Sequence, residues 1–294
     1  MTDNKSEILV GVDGSEPSLR AAEWAAADAA AVGQRVTVCY VSDVSPLADV
    51  PLPQDVRRAA RAYGHRMVDR ALVRIRHTAA VDTAGEVADG NPAAELIRRA
   101  AGAEQVVVGS RGVGGFERLV LGSVGAEVAA HAPCPVVVVR GEPQERHEVV
   151  VGVDASDRSN RALEYAFQYA ARHGGRVHAV RAVHDRAAPL PMPPVSARDW
   201  AAPEQQLAAR ELLADAVAPW AMKYPAVEVE ISVVDASAAW ALIQASKGAA
   251  LVVVCSHQPR VRAEVAKACI GEGYSRPIEV TVVVEHRTRR PQLA

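Results

Sequence analysis

The residues whose types and spacing suggest chemistry lie between Gln105 and Gly125, in QVVVGSRGVGGFERLVLGSVG. An apolar β-branched run ends in a loop holding Gly109, Gly112, Gly114 and Gly115, and the pair Gly122 and Ser123 opens the next apolar-periodic segment. Glycines let a backbone pass close to a ligand and present bare amide N–H groups, while a helix N-terminus adds unpaired donors and a positive dipole end. That pattern suits a phosphate. The spacing G-x2-G-x9-G-S is not a Walker A loop, which sets Lys before its final hydroxyl residue, nor the G-x-G-x-x-G of a dinucleotide fold. Arg111 and Arg118 could each give a phosphate a charge-assisted hydrogen bond worth roughly 1.5 to 3 kcal/mol, or could be solvated surface charges. A second stretch, GVDGS from Gly11 to Ser15, ends the first apolar run. Its Asp13 could meet a ligand or cap the following helix.

Both stretches need elements to hold them. Ile8 to Val12 reads as a strand, and Ser18 to Val32 as an alanine-rich helix with Ser15 as N-cap, Pro17 in the first turn and Gly33 as its stop. Arg35 to Val41 is the second strand. Pro46, Pro51 and Pro53 mark a loop before a long helix, Asp55 to Thr78, with Val56, Ala60, Met67, Ala71 and Ile75 near one face. Ala84 to Ala88 is a third strand, and Asn91 with Pro92 starts a further helix. Gln105 to Val108, Val124 to His131 and Val136 to Val139 complete a strand, helix and strand. Continuous Val/Ile strands alternating with helices predict a parallel sheet buried on both faces. In a doubly wound sheet the ligand lies beyond the carboxyl ends of the strands where their order reverses. If strands one and four are neighbours there, Asp13 and the glycine loop share one crevice and Val41 lines its far side.

The pattern occurs twice. EILVGVDGSEPSLRAAEWAAADAA from Glu7 recurs as EVVVGVDASDRSNRALEYAFQYAA from Glu148, an offset of 141 residues that grows to 146 further on. Two tandem domains are expected, residues 1–142 and 143–294, joined around GEPQERH. The formal net charge of −2, with basic and acidic residues interspersed, gives no reason to expect a nucleic-acid partner. The four cysteines form no C-x-x-C pair and read as reduced core residues, and the nine histidines show no metal-ligand spacing. The opening MTDNKSEILVGVDGS has no long apolar region, and no apolar run approaches the roughly 18 residues of a membrane span. A cytoplasmic location without a membrane partner is expected.

The first-strand GVDGS, the loop G-x2-G-x9-G-S and the terminal PCPVVVV strand together resemble the universal stress protein family, in its tandem-domain, ATP-binding form. The resemblance covers nearly the whole chain. It implies two flavodoxin-like sheets in the order 3-2-1-4-5 and pairing through the last strand, as a homodimer or an intrachain pseudo-dimer. It also implies that Asp13, with its neighbours Gly11, Val12 and Ser15, and Val41 hold adenine and ribose. Gly109, Arg111, Gly112, Gly114, Gly115, Arg118, Gly122, Ser123 and Val124 would then surround the phosphates of ATP, accompanied by Mg2+.

The second copy departs from this motif. Gly109, Gly112, Gly122 and Ser123 are matched by Cys255, Gln258, Ala268 and Cys269, with Pro259 removing a donor, and Val41 by Ala182. Asp154 persists. The expected function is therefore a stress or signalling protein that holds ATP in its first domain only, without a catalytic residue in evident position. A slow ATPase or adenine-α-hydrolase-type enzyme, and a nucleotide-independent interaction or chaperone module, are the alternatives.

Overall fold

The computed structural model describes residues 6–43, 53–112, 121–140, 148–154, 156, 159–183, 203–255 and 281–285. They belong to two compact units that divide after Arg140. The joining segment GEPQERH, the loop residues Gly114, Gly115 and Arg118, and the second-copy positions Gln258, Pro259, Ala268 and Cys269 lie outside the described residues.

The first unit runs β1 (Glu7–Val12), α1 (Glu16–Val32), β2 (Arg35–Ser42), α2 (Gln54–Thr78), β3 (Asp82–Asp89), α3 (Pro92–Ala100), β4 (Gln105–Gly109), α4 (Ser123–His131) and β5 (Val136–Val139). Its strands are all parallel in the order β3-β2-β1-β4-β5, the expected 3-2-1-4-5. Helices α1 and α2 cover one face, α3 and α4 the other. Ile8, Val10, Val36, Val38, Val106 and Val107 are fully buried between these layers. Each such side chain contributes about 1.5–3 kcal/mol by leaving water.

Local chemistry sets the helix limits. The Ser15 side chain accepts from the Ser18 amide, which begins α1 at Glu16, two residues before the position read from the apolar pattern. Ala21, Ala22, Ala25, Ala26 and Ala29 are all buried, so the alanine stripe brings α1 close to the sheet. Gly33 ends the helix in the left-handed region at φ 68°, with its amide on the Ala29 carbonyl. Asn91 caps α3, its Oδ1 accepting from the Ala94 amide at 3.0 Å, and Pro92 follows as expected. In α2 the buried face is Gly64, Met67, Val68, Ala71 and Ile75. Val56, expected on that face, is 44% exposed because the first turns of α2 are not covered. β3 is only partly buried: it is the outer strand of its sheet, so the expectation of strands buried on both faces fails there.

The second unit repeats the plan with β6 (Glu148–Gly152), α5 (Ser159–His173), β7 (Arg176–Ala182), α6 (Pro203–Lys223), β8 (Val229–Val234), α7 (Ala238–Ala245), β9 (Leu251–Cys255) and β10 (Thr281–Glu285). Its parallel order is β8-β7-β6-β9-β10, again 3-2-1-4-5. The repeat holds at the level of single pairs. Ile8↔Gln105 becomes Val149↔Leu251, and Val36↔Thr83 becomes Val177↔Val229. Val36 to Val177 is 141 positions and Thr83 to Val229 is 146, so the extra five residues lie between β7 and β8. Gly11 packs against Leu96, a built Cβ falling 2.8 Å from its Cδ1, and Gly152 packs likewise against Leu242 at 3.3 Å. Ser237 caps α7 where Asn91 caps α3. Cys39 and Cys134 are buried thiols and Cys255 is half-buried; none of the three is in a disulfide.

Candidate functional site

β1 and β4 are hydrogen-bonded neighbours, with Gly11 opposite Val108, while their flanking partners β2 and β5 run outward on either side. The order therefore reverses between them, and the loops after both strands meet at one place. Asp13 leaves β1 in a tight turn. Its Oδ1 accepts from the Ser15 amide at 2.9 Å and the Ser15 hydroxyl at 2.6 Å, and its own amide donates to Ser18 Oγ at 3.3 Å. Ser15 Oγ also lies 3.3 Å from the Arg111 carbonyl, tying the first loop to the fourth. Asp13 thus closes the turn that holds the Ser15 cap, and its Oδ2 lies beside Gly112: a Cβ at Gly112 would come within 2.5 Å of it.

The glycines divide by what they face. A Cβ on Gly109 would meet backbone, 2.6 Å from the Pro17 carbonyl carbon and 2.8 Å from the Ser18 nitrogen, so its bareness serves the packing of α1 on β4. Gly122 is different. Its amide donates to the Ser110 carbonyl at 2.9 Å, and a Cβ there would meet nothing closer than 3.8 Å among the described residues. Packing among the described residues does not require glycine at 122, whereas a ligand passing over the N-terminus of α4 would. That N-terminus has no side-chain cap, unlike α1 and α3, so its first amides and dipole face the crevice. Ser123 is exposed and Val124 half-exposed at this end. Val12 and Val41, both buried, form the apolar side.

Three residues from β2 and α2 join the site without a signal in the sequence motif. Gly14 adopts φ 87° and its position is pressed by the Met67 sulfur, which a Cβ would approach within 2.2 Å. Arg70 Nη1 donates to the Gly14 carbonyl at 3.4 Å. Tyr40, at the end of β2, packs edge-on to Tyr63 with ring centroids 6.0 Å apart. Burial first, then Tyr63 and the Asp13 carboxylate, push its hydroxyl above the usual phenol range, so it is a neutral donor near Asp13. Helical spacing alone marks Met67 as core; only the crossover packing shows that it also props the Asp13 loop.

Gly11, Val12, Asp13, Ser15, Gly109, Arg111, Gly112, Gly122, Ser123 and Val124 are brought together by these contacts, with Val41 one strand away. A model of the universal stress protein family matches residues 6–140 and again 145–272. The chain belongs to the universal stress protein family. A universal stress protein of Mycobacterium tuberculosis is 32% identical over 291 residues, covering 94% of this chain and 95% of that one. One from Mycobacterium bovis is 34% identical over 261 residues, covering 85% and 86%. Among solved structures, a universal stress protein from Archaeoglobus fulgidus superposes with a TM-score of 0.71 at 18% identity over 98% of this chain and 100% of that one, a likeness of fold. The tandem universal stress protein domains expected from the sequence are thereby shown, as is their strand order.

The second universal stress domain keeps the Asp turn. Asp154 Oδ1 accepts from the Ser156 amide at 2.9 Å, the Ser156 hydroxyl at 2.5 Å and the Ser159 hydroxyl at 2.7 Å. Retention of Asp154 is accounted for by this turn. Among the described residues no helix is long and apolar enough to cross a membrane.

Proposed function

We infer that the first unit binds ATP, with the phosphates over Gly112, Gly122 and the N-terminus of α4 and the nucleoside between Asp13 and Val41. Members of the family often bind ATP and their domains typically dimerise. The observation that carries the reading for this chain is the N-terminus of α4, without a side-chain cap among the described residues, beside a glycine that no described neighbour demands. A polyphosphate supplies the missing acceptors there, and the dipole and Arg111 offset its charge. Among the described residues no group of three His, Cys, Asp or Glu side chains could hold a metal, so a Mg2+ ion would draw its ligands chiefly from the phosphates and water. The role is that of a cytoplasmic nucleotide-dependent stress or signalling protein, with assembly through apolar terminal strands.

The second copy's sequence lacks the glycine motif, since Gln258, Ala268 and Cys269 match Gly112, Gly122 and Ser123 by the repeat. One ATP per chain is expected. Titration calorimetry on the full chain reads this directly: a stoichiometry near one, abolished by Gly122→Glu with an unchanged circular dichroism spectrum, is the expected result. A stoichiometry near two would sink the one-site reading, and no binding at all would favour the nucleotide-independent module.

A further inference from the structure

Arg181 stands at the carboxyl end of β7, one residue beyond the Gly152↔Val180 pair and opposite Val233 of β8. By the 141-residue repeat it occupies the place of Tyr40, which lies near enough to Asp13 to be influenced by its charge. Position 181 therefore belongs to the strand-end crevice of the second unit. The replacement is chemically large. A phenol with one hydroxyl donor becomes a guanidinium with five N–H groups and a permanent charge.

That charge is not answered within the described structure. Arg181 is half-buried, and its Nη1 is closed to solvent with no hydrogen-bond partner. Among the described residues no carboxylate pairs with it. Asp154, which follows the neighbouring strand, has its Oδ1 filled by Ser156 and Ser159. Arg20 also has a nitrogen without a partner, Nε, but Glu16 lies 4.0 Å from its Nη1 and supplies a counter-charge. A guanidinium N–H withdrawn from water without an acceptor is costly. A group of this kind at the ligand end of a sheet calls for an anionic occupant.

We propose that the second unit binds a small phosphate monoester through Arg181, at a site separate from the ATP site of the first unit and independent of it. The forked guanidinium matches two oxygens of one phosphoryl group, and the second copy's sequence lacks the glycines that the first offers to a chain of three. The second unit is then a second sensor with a different ligand, and not a scaffold alone.

The test uses the full chain and inorganic phosphate as the probe, with sodium chloride at matched ionic strength as the control. Thermal unfolding should shift upward with phosphate in the parent and in Gly122→Glu, and the shift should be lost in Arg181→Met. Arg181→Met should bind ATP as the parent does, and in phosphate-free buffer it should unfold no earlier, because an unanswered charge has been replaced by an apolar chain. Arg181→Lys keeps the charge without the fork and should bind phosphate about tenfold more weakly, which covers the case in which the Met variant does not fold. The proposal is overturned if phosphate acts no differently from chloride, if Arg181→Met or Arg181→Lys retains parental phosphate affinity, or if Gly122→Glu loses the phosphate response together with ATP.

Discussion

Gly109→Ala and Gly122→Ala should separate two kinds of glycine that sequence spacing joins in one motif. At Gly109 the new methyl would sit 2.6 Å from the Pro17 carbonyl carbon and 2.8 Å from both Pro17 O and Ser18 N, against an ordinary contact of 3.4 Å or more. Relief requires the start of α1 to move by about 0.8 Å, and it is held by the Ser15 cap and by the Leu19 amide on the Ser15 carbonyl at 3.0 Å. Overpacking of this sort costs about 1–3 kcal/mol. At Gly122 the nearest atoms are 3.8 Å away, so folding should lose only the fraction of a kcal/mol by which Ala is the poorer N-cap, about 0.5 kcal/mol. The methyl there occupies the path proposed for the phosphates and should weaken ATP about ten- to a hundredfold. Urea unfolding with unchanged slope gives the first quantity and calorimetry the second. Parental stability in Gly109→Ala would refute the packing account of that residue. Parental ATP affinity in Gly122→Ala would place the phosphates elsewhere.

Asp13→Ala should weaken ATP, ADP and AMP alike, whereas Arg111→Ala should cost ATP more than AMP; equal ratios across the three nucleotides in both variants would contradict that division. Burial pushes the Cys39 thiol up, outweighing the pull of Arg99 in the other direction. Alkylation of the native protein at pH 8 should therefore reach half-buried Cys255 well before Cys39 or Cys134, and peptide mass mapping checks the order. Hydrogen bonds from Arg98 hold the Glu95 carboxyl below its ordinary value of 4.5. A depressed acid stabilises the fold above the unfolded value and loses that contribution as pH falls through the folded one. Glu95→Gln should thus cost about 0.5 kcal/mol or less at pH 7, Arg98 being well exposed, and less at pH 3. Urea midpoints at the two pH values measure it, and an equal loss at both would contradict the assignment.

The layered fold was legible because its signals are local. Val/Ile runs mark strands, and Ser15, Asn91 with Pro92, and Gly33 mark helix limits through bonds spanning a few residues. Repetition at a fixed offset made the two-domain plan readable without any knowledge of strand pairing. What escaped depends on contacts distant in sequence. Whether Gly109 is bare for a ligand or for a helix depends on Pro17, on another element. Val56 keeps the helical period but projects from turns that nothing covers, and period alone cannot say how far a helix is covered. No motif in the sequence singles out Arg181; its unpartnered nitrogen is seen only once β7 is placed in its sheet.

The five residues gained between β7 and β8 amount to an insertion experiment that the chain has already performed on itself. α6 spans 21 residues where α2 spans 25, so the added length sits in the connections and not in the helix. Neither flanking register slipped, in keeping with how slowly loop closure grows costlier with length. The corresponding connection in the first unit begins after Ser42, the residue next to Val41. A short dye-labelling tag spliced between β2 and α2 would therefore report from the wall of the strand-end crevice while leaving every strand pair as it is.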